Sequence, residues 1–562
     1  MAKRIRHNKK PQDKPHQKPP DASSPDNSLA KILVPLGLVV LLAIVYLTTI
    51  LPGVSSGDSA ELQYKSPLLG FCHPPGYQIE VMFGKLFSLL PLGPSVAWRI
   101  NFMMTVFGII GVLALYGALR RISGQFLPAV VAALTLAFSS IYWSHCLVAE
   151  AYVFYATFLL LGIYTVTRFV AGNKAGWLYL AALFLGACVA DRASELFVMP
   201  SFLLLWWAVR KKVNLLWLRL PLSLLIFVMP FFVSLNYHLI RRNTTSLHRR
   251  DNSLRDNILS GKQTTPPPRQ EKNLSLAQRY DRGIIQGTIR YCLGLNYTKQ
   301  AQFDPKNVGP DIGKYAWLLS GRGAFGDGNR FPPENVRGNL DQGVGSSIGI
   351  LGVLLAPLGI IFWRRNYGWP LLGLGLFVGN FIFYLWHHTW DNLTFIIPGL
   401  IGWCLLIGLA SAVSPQNNRT SRHRMIYQLV CLVVPAFLLF SNYRLLDQST
   451  SQTAQLLEYN NRIAAAPFPP DSVIITSCWP AMTYRYLLYI EAQRKDIYVI
   501  YADQDKWSKL IEYFQKHSRP VFLRSDAVNP QIKNRLLKNT PVPLAQLGFV
   551  MPQPPPAENQ KT

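Results

Sequence analysis

The chain has 562 residues, half of them hydrophobic, 12% aromatic and only 15% charged, where ordinary soluble domains carry about 25% charge. That balance excludes an ordinary cytosolic enzyme and a disordered or fibrous protein, and leaves a multi-pass membrane protein. The net charge of +27 fits cytoplasmic anchoring residues and contact with membrane lipid headgroups, with no nucleic-acid partner expected; seven cysteines without C-x-x-C spacing imply neither a disulfide framework nor a zinc site.

Residues 1–30 are basic, Pro-rich and almost free of apolar side chains, and read as a disordered cytoplasmic tail. The first apolar run, 32–51, is long enough to cross the hydrocarbon layer and too long for a secretory signal. It predicts a retained helix with its N-terminus inside. Further runs at 96–119, 126–143, 152–168, 176–190, 194–209, 218–237, 346–363, 368–386, 393–412 and 426–442 give about eleven spans within a transmembrane domain over 31–442. The connections this places inside hold Arg120 and Arg121, Arg168 and Lys174, Arg210 to Lys212, Arg364 and Arg365, and Arg419, Arg422 and Arg424. The short outer ones hold Glu150, then Asp191 and Arg192, then His387, His388 and Asp391. The Lys/Arg bias agrees at every turn, as cytoplasmic loops require.

Two outer loops are long. Residues 52–95 contain an amphipathic stretch, Ile79 to Leu90, and 238–345 is basic and broken at Pro266 to Pro268. In the tail, strand-like runs at Val473–Thr476, Tyr498–Tyr501 and Val521–Leu523 alternate with helical patterns at about 480–492 and 505–517. That alternation predicts a small parallel α/β domain over 443–562, outside the membrane, with a disordered end. The fold class expected is thus an all-α polytopic membrane protein with a small C-terminal α/β extramembrane domain. A reporter that works only outside the cytoplasm, fused after Thr562, is expected to give signal. Signal from a cytoplasm-only reporter there would overturn the topology.

The spans hold almost no ionisable residues, whereas ion-coupled transporters place them at mid-membrane. The chemistry is therefore expected at the outer interface. Residues Gly57 to Tyr77 read GDSAELQYKSPLLGFCHPPGY. Asp58 and Glu61, three apart, share one face of a helix. In His73-Pro74-Pro75-Gly76-Tyr77 two prolines fix the backbone and Gly76 permits a tight turn, presenting His73 and Tyr77 rigidly. The plain alternative is a polar interfacial loop with a capping Asp.

This stretch resembles the first outer-loop motif of GT-C-type integral membrane glycosyltransferases. It is most similar to the subfamily of a eukaryotic transmembrane O-mannosyltransferase and its bacterial homologues. The pattern Asp-Ser-Gly-Glu, His-Pro-Pro-Gly-Tyr and Arg-x-Asn corresponds to Asp58-Ser59-Ala60-Glu61, His73 to Tyr77, and Arg99-Ile100-Asn101, with Ala60 for the usual glycine. Ala149-Glu150-Ala151-Tyr152 matches an Ala-Glu-x-Tyr motif, and Trp390-Asp391 with Pro398 resembles a later outer-loop Asp and proline. In the tail, Pro469 to Thr476 and Arg494-Lys495-Asp496-Ile497 resemble the first soluble strand and an Arg-x-Asp-Val. Two positions depart. Cys478-Trp479 replaces a Gly-Asp, and Asp191-Arg192-Ala193-Ser194 lacks a His common there.

The resemblance implies transfer of a mannose-like hexose from a polyprenyl-phosphate carrier to a hydroxyl of a protein, lipid or glycan acceptor. The site would face the periplasm of a bacterial inner membrane, or the ER lumen in a eukaryote. Such transfer needs a carboxylate to take the hydroxyl proton and cationic groups near the leaving phosphate. Asp58 is the candidate base and Glu150 a second acid. Glu61, His73, Tyr77, Arg99, Asn101, Arg192 and Asp391 are candidate substrate-binding residues. Arg99 and Arg192 also fit arginines at a membrane edge, Glu61 a structural role, Tyr77 simple packing, and His387 and His388 an interfacial belt. No carboxylate–His spacing marks a metal, so no cofactor or metal is expected beyond the lipid-linked donor. A lipid-linked-sugar flippase and an envelope scaffold are the rival readings. The first lacks a polar path through the spans, and the second needs no Asp–Glu–His cluster.

Overall fold

The structure is a computed structural model. It describes residues 28–211, 219–241, 247–261, 282–295, most of 305–315, 347–363, 366–387, 395–412, 421–524 and 540–552. The tail expected over 1–30 and the disordered end expected at the C-terminus lie almost wholly outside these residues.

Where the structure describes them, the apolar runs expected to span the membrane fall on helices. Among the described residues six helices are long and apolar enough to cross a membrane: Leu29–Thr49, Val96–Ser123, Ala151–Gly172, Arg219–Arg241, Gly368–Trp386 and Arg422–Leu446. The run at 126–143 becomes a pair, Phe126–Phe138 and Ser140–Leu147, bent by 63°. Ser139 adopts an extended backbone between the two, which breaks the helical hydrogen-bond ladder. Four shorter apolar helices, Ala175–Asp191, Ala193–Val209, Gly349–Phe362 and Ile397–Ser411, occupy the other runs. The order of the runs therefore holds, while six helices, or seven with the bent pair as one span, have a full crossing length.

The elements that position the site are α1 (Ser28–Thr49), α2 (Gly57–Leu68), α3 (Gln78–Ser88), α4 (Val96–Ser123), α5 (Phe126–Phe138), α6 (Ser140–Leu147), α7 (Ala151–Gly172), α8 (Ala175–Asp191), α9 (Pro200–Val209), α10 (Arg219–Arg241) and α11 (Leu247–Ser260). α4 packs along α7, α7 along α8 and α8 along α10. α2 and α3 lie across the end of this bundle, packed on each other and on α4. A Cβ at Gly84 of α3 would fall 2.5 Å from the Ser66 hydroxyl, so the bare glycine is what lets α3 close on α2.

The sheet has four strands in the order β2-β1-β3-β4, with β1 Val473–Thr476, β2 Tyr498–Tyr501, β3 Val521–Arg524 and β4 Phe549–Val550. β1 pairs in parallel with β2 and β3, as the strand–helix alternation predicts, but β4 pairs antiparallel to β3. The sheet is mixed rather than parallel, and two residues are too short a run to read from periodicity. Every residue of β1 is buried, as a central parallel strand covered on both faces requires. On one face Ile474, Val499 and Phe522 join a core that also takes Ala60 and Tyr64 of α2. On the other, Val473, Ile475 and Ile500 meet Leu254 and Ile258 of α11 with Trp507, Leu510 and Phe514. The helical pattern at 480–492 is an α-helix, Cys478–Arg485, running into a π turn over Tyr486–Glu491. The sheet is thereby seated directly on the helix that carries the polar motif.

Candidate active site

α2 starts at Gly57, whose φ of 63° lies in the left-handed region that suits glycine. Asp58 follows in the first turn, where the helix dipole favours a carboxylate. Glu61 stands one turn on, and both line one cleft with Leu62, Cys72, His73, Tyr77, Glu150, Ala151 and Tyr152. The i, i+3 reading of the two acids is thus met by the geometry.

His73 is held in the middle of the cleft. Its Nδ1 lies 2.6 Å from Glu61 Oε2, and its backbone N–H donates to the same oxygen at 3.2 Å. Its Nε2 lies 3.7 Å from Asp58 Oδ2 and 3.3 Å from the Tyr77 hydroxyl. Burial alone would lower the His73 pKa, but the carboxylates of Asp58, Glu61 and Glu150 outweigh it and raise it to about 9. Burial would likewise raise Glu61, yet the charge and hydrogen bonds of His73, aided by Lys65, keep its carboxyl below the usual range. The pair is therefore imidazolium and carboxylate at neutral pH. The Asp58 side chain is 32% exposed and Glu61 9%, so Asp58 is the carboxylate open to an incoming molecule.

Glu150 caps the start of α7 with an extended backbone and takes a 2.5 Å hydrogen bond from the Ser59 hydroxyl. Asn101 is fully buried. It donates to the carbonyls of Leu51 and Gly53, accepts from Gln63, and accepts from the backbone of Ala149 beside Glu150. It ties the end of α1, α2 and the start of α7 together and does not line the cleft. Arg99 donates to the Leu90 carbonyl at 2.7 Å and also lies outside the lining, fastening the exit of α3. Arg192 is 7% exposed, with its guanidinium 4.4 Å from the Tyr152 ring and 4.0 Å from the Phe395 ring, so it stands behind the Tyr152 wall. His387 meets Phe395 edge to face, with ring centroids 4.8 Å apart. The three turns expected outside thus meet at one end of the bundle. Asp391 and His388 lie outside the described residues.

The sequence spacing marks no metal site. In the folded chain, however, Asp58, Glu61 and His73 offer ligand atoms within 4.8 Å of one another. Sequence reasoning missed Lys65, buried one turn after Glu61 and lowered to about 8 by burial. It also missed Glu80 and Glu195, both buried. For Glu80 a signal existed: it lies four residues before Gly84, on the face of α3 that Val81, Gly84 and Ser88 bury.

The ion cluster makes a pH prediction. The folded His73 value lies above its ordinary 6.5, so its contribution to stability is full below about pH 6.5 and is lost as pH rises through about 9. Lys65 acts oppositely above about pH 8, and Asp191, raised to about 8 by burial, adds to the fall below it, so between about 6.5 and 8 the His73 share is the part of the slope that its removal takes away. The thermal midpoint of the purified chain is expected to fall across that window, and His73→Gln to flatten the slope. Equal slopes in both proteins would dismiss the imidazolium.

Three comparisons bear on this arrangement. The family described as "Protein O-mannosyl-transferase TMEM260 N-terminal domain" matches residues 58–215, the stretch that holds Asp58, His73, Glu150 and Arg192. The mouse protein O-mannosyl-transferase TMEM260 is 22% identical over 87% of this chain and 65% of its own length. The Dictyostelium discoideum protein of the same name is 31% identical over 25% of this chain and 18% of its own. This chain therefore spans less than two thirds of either relative. Among solved structures, ArnT from Cupriavidus metallidurans bound to undecaprenyl phosphate aligns over 90% of this chain and 95% of its own, at 11% identity and a TM-score of 0.37. The resemblance read from the outer-loop motif is borne out by the family match and the two named relatives.

Proposed function

We propose that the chain is a membrane glycosyltransferase that moves a mannose-like hexose from a polyprenyl-phosphate carrier to a hydroxyl acceptor. What supports this most is the convergence of Asp58, Glu61, His73, Tyr77 and Glu150 on one cleft at the end of the helical bundle. The likeness to named O-mannosyl-transferases supports the same class.

In a single displacement the acceptor oxygen bonds to the anomeric carbon as the bond from that carbon to the carrier phosphate breaks. The hydroxyl proton passes to Asp58, the accessible carboxylate. Charge grows on the leaving phosphate, and the His73 imidazolium, fixed by Glu61, faces it with Tyr77. Arg192 adds a buried cation behind Tyr152. Glu150, oriented by Ser59, accepts a hydrogen bond from the acceptor or sugar. Arg99 and Asn101 hold the loops and touch no substrate. Asp391 rests on the sequence resemblance alone. The acceptor is a protein, lipid or glycan hydroxyl, and no metal enters the step.

The test offers the purified chain, in lipid, a panel of radiolabelled polyprenyl-phosphate sugars with hydroxyl acceptors, followed by product analysis. Transfer from the mannosyl carrier with inversion at the anomeric carbon is expected. No transfer from any donor would overturn the reading.

A further inference from the structure

Beyond Tyr152 the structure holds a second group of polar side chains around Arg192, and the displacement above gives its acids and its histidine no task. Glu80 is fully buried and Asp191 is 1% exposed. Among the described residues neither Glu80 oxygen has a hydrogen-bond partner, and the Asp191 carboxyl meets only the backbone N–H of Glu80. Arg192 Nη1, Glu195 Oε2 and both ring nitrogens of His145, all buried, also lack a partner there. Groups like these normally find partners inside a fold, because each unmet one costs free energy. Several together, all near one guanidinium, describe a place that something else completes.

The surroundings say what kind of molecule that is. α3, which carries Glu80, packs against α8, which ends in Asp191. The charges that act on Glu80 are those of Asp191, Glu150 and Arg192. Arg192 lies over the rings of Tyr152 and Phe395 and 5.4 Å from Tyr155, and His145 stacks on Tyr152 at 4.6 Å. Tyr152 is also a wall of the cleft around Asp58, so this group of side chains adjoins that cleft. Carboxyl oxygens short of donors suit the hydroxyl pairs of a sugar, and aromatic faces suit its C–H surface.

We propose that Glu80 and Asp191, with Tyr152 and Arg192, form the subsite that holds the hexose ring of the donor. The carboxyls accept hydrogen bonds from its hydroxyls, while the Asp58 cleft holds the acceptor. This rests on the transferase reading for the identity of the donor. It assigns sugar selectivity to two acids that the outer-loop motif does not contain.

The test uses the full chain in lipid nanodiscs, as wild type, Glu80→Gln and Asp191→Asn. Two probes are titrated, polyprenyl phosphate and polyprenyl-phosphate mannose, and thermal stability is recorded. Both variants are expected to bind the bare carrier as wild type does. They are expected to bind the mannosyl carrier about 10-fold more weakly, as loss of a hydrogen bond between a sugar hydroxyl and a buried carboxyl implies. Their thermal midpoints should be unchanged or higher, since an amide replaces a buried carboxyl that is short of donors. Unchanged affinity for the mannosyl carrier in both variants would overturn the subsite. So would weakened binding of both probes with a fall in stability, which marks a structural role. A wild-type affinity that chelator treatment reduces to the variants' level would overturn it in favour of a cation between the two acids. Wild-type binding of the mannosyl carrier without turnover would remove the transferase reading and leave the subsite standing. Normal turnover with unaltered variant binding would do the reverse.

Discussion

Asp58→Asn is expected to lower turnover by about 10²- to 10⁴-fold, the usual cost of losing a general base, in a chain that still folds and inserts. The amide keeps the size of the side chain and most of its hydrogen bonding but cannot take a proton. Asp58 is the natural base because it is the acid of the cleft most open to an incoming hydroxyl. Glu61 holds His73 through both the ring and the backbone, and Glu150 takes the Ser59 hydroxyl. The stability change should stay within roughly 1 kcal/mol, since Asp58 is partly exposed and its contact to His73 is a long one, 3.7 Å. Glu61→Gln should act differently. It loosens His73 and weakens the field at the leaving phosphate, and its loss should therefore depend on pH. The measurement is turnover and membrane expression for Asp58→Asn, Glu61→Gln and Glu150→Gln side by side. Normal turnover in Asp58→Asn would move the base to Glu150. Lost expression together with lost turnover would leave Asp58 as a helix cap.

What the sequence revealed of the site was what lies close along the chain. Asp58 and Glu61 are one helical turn apart, and His73 and Tyr77 flank two prolines, so local geometry alone brings each pair together. Glu150 meets Ser59 across 91 residues, and only the family resemblance linked them beforehand. Arg99 and Asn101 belong to the same motif, yet residues two apart on a helix do not face each other. Asn101 therefore points into the loop junction, while Arg99 reaches back to Leu90. Glu80 and Asp191 were hidden for another reason. A single acid at the edge of an apolar run reads as an interfacial charge until the neighbouring helix is seen to cover it. In the tail, three strands stood out as apolar runs, but β4 is only two residues long. The cover of the sheet by α11 had a faint signature, Leu254 and Ile258 four apart in a basic loop, which net charge masked.

Asp251→Ala is expected to destabilise the four-stranded sheet unit by roughly 3–5 kcal/mol, the range for removing one partner of a buried ion pair. Asp251 and Arg485 are both fully buried, 3.7 Å apart. Asp251 Oδ1 accepts from Arg250 at 2.9 Å, and Oδ2 accepts from the Tyr489 hydroxyl at 2.6 Å and the Val499 N–H at 3.3 Å. Arg485 donates to the Val499 carbonyl at 2.7 Å. This carboxylate fastens α11 to β2 and to the helix Cys478–Arg485, beside the Asn252 and Arg255 contacts of α11, and without it the Arg485 charge stays buried and loses its anion. Loss of protection from hydrogen exchange in α11 and β2, with a lowered thermal midpoint, is the expected readout. The double variant Asp251→Ala, Arg485→Met should recover part of the loss, because it removes the stranded charge. A cost below about 1 kcal/mol for the single variant would place the docking in the apolar contacts of Leu254 and Ile258 instead. The effect should also reach the cleft. Thr483, in the same helix as Arg485, donates to the Ser55 carbonyl at 3.1 Å just ahead of α2, and the Ala97 N–H donates to the Tyr486 hydroxyl. A sheet that loosens on this side frees the segment that aims Asp58, so turnover in Asp251→Ala should fall although Asp251 touches no substrate.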